Sequence, residues 1–270
     1  MTSPSIADLV AQAAEVLDEV AVPFLHGHRA QPAVLKPGND FATEIDLAIE
    51  RRVGEQLWAR TGIGVHGEEF RATALDAGRV WVLDPIDGTY NYAAGSPMAA
   101  ILLALLDAGE PVAGLTWIPF TGQHYIATQA AGLTCNGVKM PALQTGSLGG
   151  AMVALGTLNV DSQGRLPGRY RLAVFAELSR VASKIRIHGS TGIDMAFVAA
   201  GILGAAVSFG GYVWDHAAGV ALVRAAGGTV TDITGAPWTP ASRTTVAAAP
   251  GIYPELMGVL RGLGSPEEYR

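Results

Sequence analysis

Trp81-Val82-Leu83-Asp84-Pro85-Ile86-Asp87-Gly88-Thr89 is an apolar run that ends in two carboxylates three residues apart. Val80 to Asp84 reads as a buried strand. Pro85 has no N–H and holds Asp84 extended, so strand pairing is expected to stop there. Gly88 permits a tight turn, which opens the N–H groups of Gly88 and Thr89 towards an anion. Acidic oxygens for a hard cation thus sit beside donors for a phosphate. Mg²⁺ prefers that mixture of one or two carboxylates, water and phosphate oxygens. Taken alone, the stretch reads equally well as a turn capped by two aspartates.

Two other acidic sites change the balance. Glu68 and Glu69 end a short apolar strand, Gly62-Ile63-Gly64-Val65-His66. Asp215 follows Trp214 and opens an Ala-rich helix from His216 to Ala226, where alone it would be an N-cap. That helix start brings a positive dipole near any anion. Gly62, Gly64 and Gly67 match the spacing of a dinucleotide loop, but a helix precedes them and none follows, so that reading is rejected.

Working outward, Ser5 to about Val22 has helical periodicity, and so has Thr43 to Ala59 through Ile45, Ile49, Val53 and Leu57. Between them lies a polar turn around Pro37 and Gly38. Met98 to Leu106 and Pro111 to Trp117 form an expected hairpin, with Asp107, Ala108 and Gly109 at its turn. His124 to Thr128 and Leu133 to Met140 continue the strands. Beyond about Leu143, strands near Met152, Ile185, Val207, Val230 and Val246 alternate with helices at 172–182, 192–200, 216–226 and 253–263, which suggests α/β layering. The shift in style at 144–150 suggests two halves, 1–143 and 144–270.

Of the 270 residues, 49% are apolar and only 16% charged, against roughly 25% in ordinary soluble domains, so the chain can bury a sizeable core. The net charge of −6 gives no electrostatic case for nucleic acid. One cysteine, Cys135, excludes a disulfide scaffold and is expected in the core. Residues 195–214 carry no charge and have the length of a membrane span. Four glycines interrupt them, so they read as helix, turn and buried strand. No secretory signal is evident, and a cytoplasmic protein is expected.

Gly67-Glu-Glu69, Asp84-Pro-Ile-Asp-Gly-Thr89 and Trp214-Asp-His-Ala-Ala-Gly219 together resemble the inositol monophosphatase family, which belongs to the lithium-sensitive, Mg²⁺-dependent phosphatases that include fructose-1,6-bisphosphatases. The resemblance runs from the 35–46 segment through 227–235. It implies an α+β layered αβαβα sandwich, commonly dimeric, that hydrolyses a small phosphorylated polyol or sugar, of the inositol 1-phosphate type, with metal-activated water. It further implies that Glu68, Asp84 and the Ile86 carbonyl hold one Mg²⁺, that Asp84, Asp87 and Asp215 hold a second, and that a third binds weakly near Glu68. Thr89, paired with Asp46, would orient the attacking water. The N–H groups of Gly88 and Thr89 would hold the phosphate, with Asp87 and Asp215 beside it.

The substrate side departs from the family pattern. An acid usual seven residues before the Asp of the WD pair is Ser208 here. Gly189, Ser190 and Thr191 resemble the substrate loop, though Ser190 or Thr191 equally suits a helix cap. Arg165, Arg169 and Arg171 suit either a second phosphate or a solvated helix start. Lys36 resembles a lysine near the metal site. His26 and His28 read as surface residues, His66 and His216 as supports for ligands or structural histidines, and Trp214 as packing. Fructose-1,6-bisphosphate, a 3′-phosphonucleotide and histidinol phosphate are rival substrates. A non-catalytic binding or regulatory module on the same fold is the alternative of another class.

Overall fold

A computed structural model describes residues 4–36, 40–76, 78–163 and 166–270. Helix α1 (Ile6–His26) starts at a capping box between Ser5 and Asp8. It runs on past Val22 with Pro23 inside it, because buried Phe24 anchors the last turn against Tyr92 and Phe120. Strands β1 (Pro32–Lys36) and β2 (Asp40–Thr43) pair antiparallel where the sequence suggested only a turn. β1 is largely exposed and so lacks the alternation that betrays a strand. The turn itself, with Pro37 and Gly38, lies outside the described residues. Helix α2 (Glu44–Thr61) follows directly from β2.

Strands β3 (Val65–Gly67) and β4 (Arg79–Asp87) are parallel neighbours. After the short helix α3 (Thr89–Ala94) come β5 (Ala100–Asp107), β6 (Glu110–Ile118), β7 (Gln123–Thr128), β8 (Gly132–Cys135) and β9 (Val138–Lys139). These complete a seven-stranded sheet in the order β3 to β9, antiparallel beyond β4. Pro85 does not end β4. The register slips between Asp84 and Asp87, so the proline makes a bulge and pairing resumes at Asp87 with Ala100. The β5–β6 hairpin turns as expected at Ala108 and Gly109, both at positive φ. The same chemistry splits the single strand expected over 133–140: Asn136 (φ 49°) and Gly137 (φ 77°) make a tight hairpin turn inside it.

The second sheet takes β10 (Met152–Leu155), β11 (Lys184–Arg186), β12 (Ala205–Ser208), β13 (Thr229–Thr231) and β14 (Thr245–Ala248), in the order β11-β10-β12-β14-β13. Helices α4 (Gly168–Val181), α5 (Thr191–Ala199), α6 (Val213–Ala225) and α7 (Ile252–Gly262) alternate with them. α4 begins four residues before the expected Leu172, held by buried Tyr170. α6 begins at Val213, because Val213 and Trp214 are buried in its first turn, and Asp215 is therefore inside the helix rather than its cap.

Side-chain alternation sorts the core into layers. Trp81, Leu83, Ile101, Leu103 and Trp117 face α1 and α2. Val80, Val82, Leu102 and Ala104, on the opposite face, meet α5, α6 and Ala154, Ala206 and Ala247 of the second sheet. Val153, Leu155, Val207 and Val246 then cover α4 and α7. The result is the αβαβα sandwich. Residues 195–214 are most of α5, all of β12 and the start of α6, and no described helix is long and apolar enough to cross a membrane.

Candidate active site

The C-terminal end of β4 brings Asp84 and Asp87 into the interior, both nearly fully buried. Asp84 Oδ1 accepts from the Ile86 N–H at 3.0 Å, which folds the bulge around Pro85. Gly88 then turns the chain at φ 86° into α3, and the Thr89 hydroxyl donates to the Ile86 carbonyl at 2.9 Å. A β-carbon at Gly88 would stand 2.8 Å from the Met98 carbonyl oxygen. Gly88→Ala therefore combines a left-handed backbone with a backbone clash, and a loss of roughly 2–3 kcal/mol in denaturant unfolding is expected. A loss under 0.5 kcal/mol would show that the turn is not tight.

Asp46 sits in the first turn of α2 because Thr43 caps that helix. Its Oδ2 accepts from the Thr43 N–H (2.7 Å) and hydroxyl (2.6 Å), while Oδ1 is buried without a hydrogen-bond partner. Thr89 and Asp46, expected as a pair, thus hydrogen-bond elsewhere: Thr89 to Ile86 and Asp46 to Thr43. Lys36 at the end of β1 bridges Glu68 (2.7 Å) and Glu69 (2.5 Å). Buried Glu50 accepts from the N–H groups of Glu69 and Phe70, and so shapes the loop that presents Glu68. Sequence reading missed Glu50. Its signal is the spacing of four from Asp46 on one flank of an otherwise apolar helix face.

Ser190 is both a helix cap and part of the site. Its hydroxyl accepts from Ile193 N–H at the start of α5 and donates to Asp87 Oδ2 at 2.5 Å. The N–H groups of Thr191 (3.2 Å) and Gly192 (2.8 Å) also donate to the Asp87 carboxylate. Asn91, likewise unforeseen, donates to the carbonyls of Met98 and His188 and so ties α3 to the turn at Gly189. Ser208 ends β12, and His216 Nε2 lies 3.1 Å from its hydroxyl.

Electrostatics links these segments. Burial raises Asp84 well above the ordinary carboxylate range, and the charges of Glu68, Asp87, Asp215 and Asp46 raise it further. Asp215 is raised in the same way, by burial and then by Asp87, Glu68 and Asp40, with Lys36 opposing. Burial lifts Asp87 to about 6 against its hydrogen bonds, and Asp46 to about 7. Glu68 is raised by burial even though Lys36 pulls it down. Burial works against the Lys36 ammonium, but the two glutamates outweigh it and raise its pKa. His216, fully buried, is pushed down to about 4 and is neutral at physiological pH.

Acids from β4, the end of β3 and the first turn of α6 therefore feel one another. Among the described residues, however, no three His, Cys, Asp or Glu side chains stand as a formed metal-binding group. Asp87, Glu68 and Asp46 direct oxygens to α5, Lys36 and Thr43 instead. The donor set is hard oxygen throughout and mutually repelling, and Asp46 keeps an unpartnered oxygen. That chemistry fits a divalent cation of the Mg²⁺ kind. A cleft of about 490 Å³ opens beside it, lined by Lys36, Asp40, Glu68, Glu69, Arg71, Tyr212 and Trp214. Tyr212 stacks on Trp214 at 4.9 Å, and the Arg71 guanidinium lies 4.8 Å from the Trp214 ring. Trp214 thus packs, as expected, and also walls the cleft.

Other candidates fall away from the site. Arg171 donates to the carbonyls of Leu166 and Thr157 and covers the Phe209 ring, so it is a structural cation; Arg169 is exposed, and Arg165 lies outside the described residues. His28 is not a free surface residue: it packs on Phe120 and Tyr92. His26 is exposed. His66 is held by the Thr73 carbonyl (2.8 Å) and faces Trp214. Cys135 is half-buried against the middle core layer.

Comparison with known proteins points to one family. The sequence profile described as the inositol monophosphatase family matches residues 4–262. The inositol-1-monophosphatase ImpA of Mycolicibacterium smegmatis is 61% identical over 261 residues, covering 97% of this chain and 95% of that protein. The probable inositol 1-monophosphatase ImpA of Mycobacterium tuberculosis is 61% identical over 264 residues, covering 98% of each. The Thermotoga maritima IMPase structure superposes with a TM-score of 0.86 at 26% identity, over 97% of this chain and 100% of that one.

Proposed function

We propose that this chain, which belongs to the inositol monophosphatase family, is a phosphatase whose substrate is the monophosphate of a small polyol, inositol 1-phosphate foremost. One observation carries the reading: buried acids from three distant stretches raise one another's pKa beside an open cleft. Glu68, Asp84, the Ile86 carbonyl, Asp87 and Asp215 would hold Mg²⁺, the last two acids contributed by different halves, 1–143 and 144–270. Bound there, Mg²⁺ supplies charge neutralisation for the ester and a lowered pKa for water.

The chain's own groups do the rest. The Thr89 proton is committed to the Ile86 carbonyl, so its oxygen accepts from the attacking water and orients it. Asp46, whose Oδ1 is buried without a partner, would take the proton of that water, with Glu68 nearby. The N–H groups of Gly88 and Thr89 hold the phosphate. Thr191 and Ser208, with the Gly189–Ser190 turn behind them, meet the leaving group. A cytoplasmic homodimer acting on a small phosphorylated metabolite completes the proposal.

The test is phosphate release with Mg²⁺ from inositol 1-phosphate, fructose-1,6-bisphosphate, a 3′-phosphonucleotide and histidinol phosphate. Inositol 1-phosphate is expected to show the highest kcat/KM. Release from none of them would overturn the reading and favour a binding module.

A further inference from the structure

The consecutive N–H groups of Glu68, Glu69 and Phe70 are all committed. The Glu68 N–H donates to the carbonyl of Leu83, the residue before Asp84, at 3.2 Å. The other two donate to different oxygens of one carboxylate: Glu69 to Glu50 Oε2 at 2.9 Å and Phe70 to Glu50 Oε1 at 2.8 Å. Glu50 is only 3% exposed and lies one helical turn beyond Asp46 in α2. Its approach depends on Gly67, where a β-carbon would stand 2.0 Å from Glu50 Oε1. Gly67 is not at positive φ, so it supplies room for the carboxylate and not backbone freedom.

Burying a carboxylate to hold two amides is a costly way to fasten a loop, so what the loop carries matters. Through Leu83 the backbone of Glu68 is fixed to β4, which carries Asp84. Through Glu50 it is fixed to α2, which carries Asp46. The Glu68 side chain is held by the Lys36 ammonium at 2.7 Å. A divalent cation arriving there has to displace that ammonium, but it does not have to order the chain. We propose that Glu50 is a positioning residue for the metal site: by fixing the backbone that follows Glu68 it orders that ligand in advance, so that Mg²⁺ binds without the entropic cost of arranging the loop. This rests on the Mg²⁺-dependent phosphatase reading above and deepens it. Glu50 acts through Glu68, because both of its own oxygens are engaged with the loop backbone.

The experiment titrates metal-free protein with Mg²⁺ by calorimetry, without substrate, and follows the Mg²⁺ dependence of phosphate release from inositol 1-phosphate alongside. Glu50→Gln sets an amide NH₂ against one of the two N–H donors, and is expected to raise the Mg²⁺ Kd roughly tenfold or more. The Mg²⁺ concentration for half-maximal rate rises in step, while kcat at saturating Mg²⁺ falls by no more than about threefold. Glu50→Asp keeps the charge but withdraws the carboxylate by one methylene, and Gly67→Ala keeps Glu50 whole but pushes it off the loop. Both are expected to raise Kd by about fivefold or more. Leu57→Ala, which opens a cavity at the far end of α2, lowers Tm and leaves Kd as in wild type. A Kd within about twofold of wild type in Glu50→Gln would overturn the proposal. So would wild-type affinity in Glu50→Asp, since charge alone would then suffice. Weakening in Leu57→Ala equal to that in Glu50→Gln would also overturn it, since lost stability would then suffice. Should the glutamine variant fail to fold, Glu50→Asp and Gly67→Ala decide between the outcomes. A wild-type protein that takes up no Mg²⁺ overturns the metal-site reading as well.

Discussion

Asp84→Asn lowers kcat/KM at saturating Mg²⁺ by at least about a thousandfold, roughly 4 kcal/mol of transition-state stabilisation, in a protein that still folds. The amide keeps the volume of the carboxylate and keeps an acceptor for the Ile86 N–H. It removes the charge that the proposed Mg²⁺ site would draw on. Because burial and then Glu68, Asp87 and Asp215 already penalise that charge, the variant is expected to melt no lower than wild type in EDTA. Phosphate release and paired thermal melts with and without Mg²⁺ check both halves. A rate within tenfold of wild type would remove Asp84 from the ligand set.

Mg²⁺ stabilises the wild-type protein, and more at pH 8 than at pH 5. The sign follows from the raised carboxylates. Asp87 at about 6, Asp46 at about 7, and Asp84 and Asp215, both raised by burial and by their acidic neighbours, bind protons more tightly folded than unfolded, where the value is about 3.9. Their stabilising contribution is fully present below about pH 4 and is lost as pH rises through the folded values. The metal-free protein therefore weakens between pH 4 and pH 7 and beyond. A divalent cation offsets the same charges, but protons compete with it at low pH. At a hundredfold excess over Kd, binding is worth about 2.7 kcal/mol, which is roughly 5–10 °C in Tm for a chain of this size. The expected shift at pH 8 is of that order, falling to about 2 °C or less at pH 5, and chelation reverses it. Equal melting temperatures across millimolar Mg²⁺ at pH 8 would contradict the clustered-acid account.

Local chemistry was legible wherever a residue type has one physical use. Continuous apolar runs located β4, β5 and β6, and Ala108-Gly109 located the turn between the last two. The weaker readings came from elements whose signal is spread over the fold. β1 is exposed and pairs only with β2, so nothing in its own sequence marks it as a strand. Asn136-Gly137 carried a hairpin signal that the apolar run from Leu133 to Met140 masked. Asp215 is a plausible cap by position, but burial of Val213 and Trp214 draws the helix back by one turn.

The site divides in the same way. The acids at 68, 84, 87 and 215, Thr89 and the glycine at 88 are set by the chain itself, because carboxylates at a strand end, a hydroxyl and a left-handed turn each demand a particular side chain. Which oxygens meet which donors is not set there. Asp87 accepts from residues 190, 191 and 192, more than a hundred positions away, and Lys36 reaches Glu68 across 32. Glu50, Asn91 and His216 act through partners that only the layered packing brings near. Hydrogen bonds and like-charge repulsion depend on distance in space, and that distance is fixed only when α5 and α6 are clamped between the two sheets.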